Sequence, residues 1–263
     1  MNDILIKYRN WHLGESPKPI KLEIPGWAGL KSRTSAQPWQ CQPFIDGNTY
    51  GLELLYPFST ECHVKLIDGK ITFNGDFTEE NKQVGGILPP FLSFAGNHFG
   101  MTSCLDIQVP EGYVLRLESH PRFYTDNTNT VPCVVPGHLQ TYWWPKIFFV
   151  VFKYPILGQT YIFRKGEPYA QILIIPEKNK YEIKEMTEQE KLKRNLFNDK
   201  MVKYAKKYVK NSWTSDLGYT FDDKYKILSK IYAKFGIEGL NQFISNVDRS
   251  HLKLRLIHEN KTI

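Results

Sequence analysis

The segment 61–75, ECHVKLIDGKITFNG, constrains this chain more than any other. Cys62, Val64 and Leu66 alternate with His63, Lys65 and Ile67, the two-residue period of a strand with one buried face. Asp68-Gly69 then offers the residue types a two-residue hairpin turn demands, and Ile71 and Phe73 carry the chain back. The same grammar runs from about Trp39 to Pro176. "CLDIQV" leads through "PEGY" to "YVLRLES", where Val114, Arg116 and Glu118 face one way and Leu115 and Leu117 the other. "HLQTYWWPKIFFVVFKYP" is an aromatic and β-branched run interrupted by Pro145, which predicts an edge position or a bulge. "QTYIFR", the turn Lys165-Gly166-Glu167-Pro168 and "AQILII" close the series at Pro176. No helical pattern separates these segments, so a doubly wound α/β fold is disfavoured. Short strands with Gly/Pro turns predict a mainly β fold, a barrel or a sandwich.

After residue 185 the period changes. Thr187 and Glu190 have the spacing of a capping box. Met201, Tyr204, Ala205, Tyr208 and Val209 fall on one helical stripe, with Lys200, Lys203, Lys206, Lys207 and Lys210 on the other face. Thr220 is a second candidate N-cap, followed by the stripe Tyr225, Leu228, Ile231, Tyr232 and Phe235 and by Gly236 as a stop. "IEGLNQFISN" predicts a third short helix, and "HLKLRLIH" a terminal strand. The expected organisation is a β-rich domain over residues 1–183 with an irregular N-terminal segment. A helical C-terminal segment, 184–263, packs on it as part of the same unit.

Composition narrows the function classes. Aromatic residues make up 14% of the 263 residues, which suits packed sheets. No apolar run approaches the roughly 20 residues of a membrane span. The start, "MNDILIKYRNWHLG", lacks a signal-peptide core, so a cytoplasmic location and no membrane partner are expected. Cys41, Cys62, Cys104 and Cys133 lack zinc-site spacing and read as small buried hydrophobes. A net charge of +7 implies some affinity for polyanions. Nucleic acid through the basic C-terminal helix is the lesser option, because Tyr204 and Tyr208 lie opposite the lysines and offer no interleaved stacking platform.

No nucleophile elbow and no glycine-rich phosphate loop is present. No histidine stands two residues before an Asp or Glu, the spacing of a jelly-roll iron site. His98, His120 and His138 stay candidate metal ligands only if adjacent strands bring them together. Glu79-Glu80 and Asp222-Asp223 are paired carboxylates with structural explanations, the latter as helix first-turn acids. In the turn at Gly166, Glu167 can pair with Arg164 or Lys165 across what reads as a charged hairpin tip.

Several motifs occur in a familiar order: "PGWAG", "AQPWQCQPF", "GNTYGLELLYP", "GNHFG", "PEGY", "TYWWP" and "KGEPYAQI". Over residues 25–176 the chain resembles a mainly bacterial family designated a domain of unknown function, which implies a fold boundary and no activity. More faintly, Lys165-Gly166-Glu167-Pro168-Tyr169-Ala170-Gln171-Ile172 and "PEGYVLRLESHPR" are similar to segments of the dUTPase and dCTP deaminase superfamily. That resemblance implies a β-clip-like architecture and a phosphate-binding segment. The chain departs from it at Gly137-His138-Leu139-Gln140, where a catalytic-water Asp is expected, and it lacks the Arg-Ser-Ser triplet.

Three function classes follow. The leading one is a non-catalytic protein that binds a small ligand or protein partner, or assembles as a homo-oligomer, with no catalytic residue assigned. The second is a nucleotide-handling enzyme of dUTPase-like type, and the third a metal-dependent, oxygenase-like enzyme. The candidate ligand-binding residues are Glu118, His120, Arg122, Lys165, Glu167 and Gln171. The cofactor is left unassigned.

Overall fold

The computed structural model describes residues 4–11, 13–21, 41–83, 90–94, 96–205, 209, 211–214 and 218–245. Outside that set lie "PGWAG", the start of "AQPWQCQPF", His12, the Tyr208 position, Lys206, Lys207 and Lys210, and the expected terminal strand in "HLKLRLIH". The chain divides into two compact units. One comprises Met1–Gly29 with Asp46–Lys180, the other Leu30–Ile45 with Tyr181–Ile263. Helix α1, Gln42–Asn48, spans their boundary in sequence.

The first unit is β-rich and antiparallel throughout its described pairings. The outermost strands in sequence order are β1 (Lys7–Asn10) and β2 (Lys18–Pro19), followed by β3 (Leu52–Leu55). The predicted hairpin forms as β4 (Cys62–Ile67) and β5 (Lys70–Asn74), in register from His63↔Asn74 to Ile67↔Lys70. Asp68 and Gly69 both have positive φ, 48° and 73°, as the primed two-residue turn requires. The short helix α2 (Thr78–Gln83) follows. Strands β6 (Phe91–Phe94), β7 (His98–Thr102), β8 (Leu105–Gln108) and β9 (Tyr113–Glu118) lead to one helical turn, α3 (Arg122–Thr125). Then come β10 (Gly137–Leu139), β11 (Phe149–Lys153), β12 (Thr160–Phe163) and β13 (Pro168–Pro176).

These strands make a five-stranded sheet in the order β10-β9-β13-β3-β2, two three-stranded sheets, β11-β7-β6 and β12-β4-β5, and the pair β1-β8. All four contribute to one apolar cluster, including Leu54 and Ile172, Phe99 and Phe152, Val64 and Phe163, and Leu105 and Ile107. Phe163 alone has ring neighbours at Tyr56, Phe91, Phe99, Phe152 and Tyr169, with centroids 5.2–6.4 Å apart. Each such buried side chain is worth roughly 1.5–3 kcal/mol of transfer free energy, so this cluster holds the sheets together.

Two expectations are corrected here. The aromatic run around Pro145 is not one strand with a bulge. It breaks, β10 ending at Leu139 and β11 starting at Phe149, with a turn at Trp143–Gln140 between them. Nor is the Gly166 turn a hairpin tip. Its flanking strands belong to different sheets, β12 pairing with β4 and β13 with β9 and β3. The turn keeps its local bond, Glu167 N–H to Arg164 O at 3.0 Å, and Gly166 takes the expected positive φ of 76°. Its other backbone bonds go to Tyr56, with Gly166 N–H donating to Tyr56 O and Tyr56 N–H to Glu167 O, both at 2.9 Å.

In the second unit, α4 (Glu188–Ala205) starts at the predicted capping box. Thr187 N–H donates to Glu190 Oε2 at 2.8 Å, and Glu190 N–H to Thr187 Oγ1 at 3.3 Å. Of the predicted stripe, Met201 and Val209 are half-buried, and Lys200 and Lys203 on the other face are exposed; Leu192, Leu196 and Val202, outside that stripe, are exposed as well. Strands β14 (Ser212–Thr214) and β15 (Thr220–Asp222) pair before α5 (Lys224–Ser245). Thr220 is therefore a strand residue; Asp222 accepts from Lys224 N–H at 3.0 Å just ahead of α5, so Asp222 and Asp223 precede the helix and its first turn holds no acid. Gly236 interrupts α5 with φ of 65°, so a helix and a second short one follow each other as expected. Ile231 is buried on the predicted stripe, but Tyr225 and Tyr232 are more than half exposed. Among the described residues no helix is long and apolar enough to cross a membrane.

Candidate functional site: a polar row on the five-stranded sheet

Strand alternation sorts the five-stranded sheet into two faces. Leu52, Leu54, Ala170, Ile172, Ile174, Leu115 and Leu117 share one, which supplies the core. On the other face the register places Lys18, Glu53, Gln171 and Glu118 directly opposite one another in a single row across four strands. Opposed residues have Cβ atoms about 5 Å apart, so these side chains are neighbours. The next row holds Leu173, Arg116 and His138.

Past the end of β9, the chain adds two more groups to this region. His120 is 1% exposed, and Arg122 opens α3. The His120 Nδ1 accepts the Arg122 backbone N–H at 3.2 Å, which leaves the ring proton on Nε2. Nε2 lies 3.5 Å from Glu53 Oε2, within ion-pair reach but without the alignment of a hydrogen bond. Burial first, and the Arg122 charge second, push the imidazole down to about 4, so it stays neutral at neutral pH. The result is a buried N–H donor whose hydrogen bond is not made. Gln171, 7% exposed, donates its amide to Tyr50 O at 2.6 Å.

The charges around this row are mated. Arg116 Nε donates to Glu118 Oε1 at 2.5 Å, and its Nη1 meets His138 Nε2 at 3.2 Å. Arg122 Nη2 donates to Glu167 Oε2 at 3.1 Å, tighter than the 3.8 Å between Arg164 and Glu167 that the turn alone predicts. Arg164 Nε in turn donates to Glu61 Oε2 at 2.7 Å, and Glu61 also meets His63 at 2.5 Å. The His63 hydrogen bond, helped by Arg164 and opposed by burial, holds the Glu61 carboxyl below the usual range.

Of the candidate ligand-binding residues, the structure brings Glu118, His120, Arg122, Glu167 and Gln171 into connected positions. Lys165 is exposed in the turn and enters none of these pairs. The three histidines stand apart in role: His98 begins β7 opposite Lys153, His120 is buried beside Glu53, and His138 lies opposite Arg116. Among the described residues no three His, Cys, Asp or Glu side chains are grouped to share a metal ion. Cys62 and Cys104 are buried as expected, whereas Cys133 is half-buried and Cys41 exposed.

Glu53 is the residue that sequence reasoning missed. Its signal was present in "GLELLYP", where one carboxylate interrupts an apolar run and must occupy the opposite face. Glu61 and Arg116 were likewise not singled out; each has a partner two residues away, His63 and Glu118, but also one far off in sequence, Arg164 for Glu61 and His138 for Arg116.

No protein-family model and no curated protein matches the chain. Solved structures show faint likenesses. Staphylococcus bacteriophage 80alpha dUTPase with dUPNHPP aligns at 12% identity and a TM-score of 0.37, covering 70% of this chain and 89% of that one. EIAV dUTPase aligns at 10% identity and a TM-score of 0.34, covering 70% and 99%. The dUTPase from phage phi11 of S. aureus aligns at 12% and 0.34, covering 70% and 97%.

Proposed function

We propose that the protein is a non-catalytic binding protein and that the row Glu53–Gln171–Glu118, with His120 at its end, is its recognition face. The observation that carries this reading is the open Nε2–H of His120. Leaving a buried donor unpaired costs about 1–3 kcal/mol, and a ligand acceptor seated there would recover it.

The chemistry of the row favours a neutral ligand with both donor and acceptor groups, such as a nucleobase or another cyclic amide. His120 and Arg122 donate, while Glu118 accepts. The guanidiniums of Arg116, Arg122 and Arg164 are each paired with a carboxylate, of Glu118, Glu167 and Glu61 respectively, so none of the three stands open to a phosphate. A phosphate would have to displace a carboxylate from its guanidinium. General-base chemistry is poorly served as well. The Nδ1 lone pair of His120 is engaged and Nε2 carries the proton, so the ring offers nothing to accept another.

Thermal unfolding of the full chain with nucleosides, free bases, inorganic triphosphate and nucleoside triphosphates tests this. A ligand at a hundredfold its Kd adds about 2.7 kcal/mol, a rise of several degrees. The expected result is a rise with at least one nucleoside or base, none with inorganic triphosphate, and loss of the effect in His120→Phe. Response to phosphates alone, or phosphate release from a nucleoside triphosphate that Glu118→Gln abolishes, would overturn the reading.

A further inference from the structure

A second recognition surface lies away from the polar row, at the β1-β8 pair. A hollow of about 370 Å³ is lined by Leu5, Lys7, Val109, Pro110, Glu111 and Tyr142, within the size range of small-molecule sites. Its charges are disposed unusually. On this strand pair Arg9 is opposite Asp106 and closes on it, with Nη2 at 2.7 Å from Oδ2. Two residues earlier on the same face, Lys7 is opposite Gln108, which offers no charge. Neither Lys7 nor Glu111 has an ion-pair partner among the described residues, and both are exposed. The hollow therefore presents one cation and one anion without an ion-pair partner, and Leu5 and Pro110 add apolar surface to its lining.

The walls are fixed in advance. Tyr142 O–H donates to Glu177 Oε2 at 3.5 Å, and Glu177 Oε1 accepts from Gln140 Nε2 at 2.6 Å. The turn that carries Glu111 is held at both sides, by Tyr113 N–H to Pro110 O at 3.2 Å and Glu177 N–H to Gly112 O at 2.8 Å. A pre-set site loses less ordering entropy when it binds. Partial burial, then the Glu177 and Glu111 carboxylates, push the Tyr142 phenol above its ordinary range.

We propose that this hollow binds a small zwitterion of amino-acid or dipeptide type. Lys7 takes its carboxylate, Glu111 its ammonium, and the apolar lining with the Tyr142 ring its side chain. A polyanion would meet Glu111, and a simple cation would meet Lys7, so a ligand carrying both charges is the complementary class.

Isothermal titration of the full chain with the dipeptide Ala-Phe, and with its N-acetylated and C-amidated forms, tests the proposal. The expected result is binding of the unblocked dipeptide with a Kd of about 1 mM or tighter, and about tenfold weaker binding of each blocked form. Lys7→Met should erase the discrimination against the amidated form, and Glu111→Gln that against the acetylated form. His120→Phe should leave the titration unchanged, which separates this site from the polar row. Absence of binding, equal binding of blocked and unblocked forms, or loss of binding in His120→Phe would each overturn it.

Discussion

Glu80 and His120 are both buried, both titratable and both in the β-rich unit, yet their surroundings differ in kind. Glu80, 5% exposed in the first turn of α2, accepts from Ser59 Oγ at 2.9 Å and Thr60 N–H at 3.0 Å. Burial raises its carboxyl, but its own backbone N–H and the Thr60 and Ser59 donors outweigh that and hold it below the ordinary range. Every feature of Glu80 is accounted for by tying the 59–60 turn to the helix. His120 has one nitrogen engaged and the other waiting. The partners of a satisfied buried charge account for it as structure, whereas a neutral buried ring with an unpaired N–H is not accounted for in that way.

The sharpest way to test that contrast is acid. His120 has a folded value of about 4 against an ordinary 6.5, so between those pH values the unfolded chain binds more protons. Stability therefore rises with pH across this window, is complete above 6.5, and is lost as pH falls to 4. The size is about 2–4 kcal/mol. Urea unfolding at a series of pH values should show this slope in the wild type and not in His120→Phe. Glu80 acts lower: its stabilisation persists above the usual carboxylate range and declines only as pH falls through its depressed value.

At neutral pH the order reverses between the two residues. Glu80→Ala leaves Ser59 and the Thr60 N–H without their acceptor and should cost about 2–3 kcal/mol by urea denaturation. His120→Phe removes an unpaired donor but also the acceptor of the Arg122 backbone N–H, and should cost about 1–2 kcal/mol while abolishing ligand response. If His120→Phe proved the more damaging of the two, the contrast would fail. The smallest expected effect is that of Arg122→Ala, less than about 1 kcal/mol for a half-buried ion pair with Glu167. Because the Arg122 charge helps hold His120 down, the same variant should raise the His120 titration midpoint while the backbone bond to Nδ1 persists.

The strands themselves were legible, because alternation and turn residues are local signals. The β4-β5 hairpin appears where Asp68-Gly69 placed it. The Gly166 turn shows the limit. A glycine with positive φ and a charged neighbour looks the same whether the strands beside it pair or part. What decides the matter here is Tyr56, distant in sequence, which takes up the turn's backbone groups. The site was half legible for the same reason. Glu118 and Gln171 fall on the right face by alternation, but nothing local says that β3 brings Glu53 beside them. Nor does "SHPR", which reads as a polar turn, reveal that its histidine is buried. Periodicity alone does not tell how deeply a helical face is covered: Met201 and Val209 of the expected stripe are half-buried, while Leu192 and Leu196, also apolar and four residues apart, are exposed.

The most direct measurement is the ¹⁵N resonance of the His120 ring in labelled full-length protein, followed from pH 7 downward with and without a nucleoside that raises the unfolding midpoint. The account predicts a neutral ring protonated on Nε2, no charging until about pH 4, and a shift of the Nε2–H signal when the ligand is added. A ring that charges near pH 6.5, carries its proton on Nδ1, or ignores the ligand would contradict it.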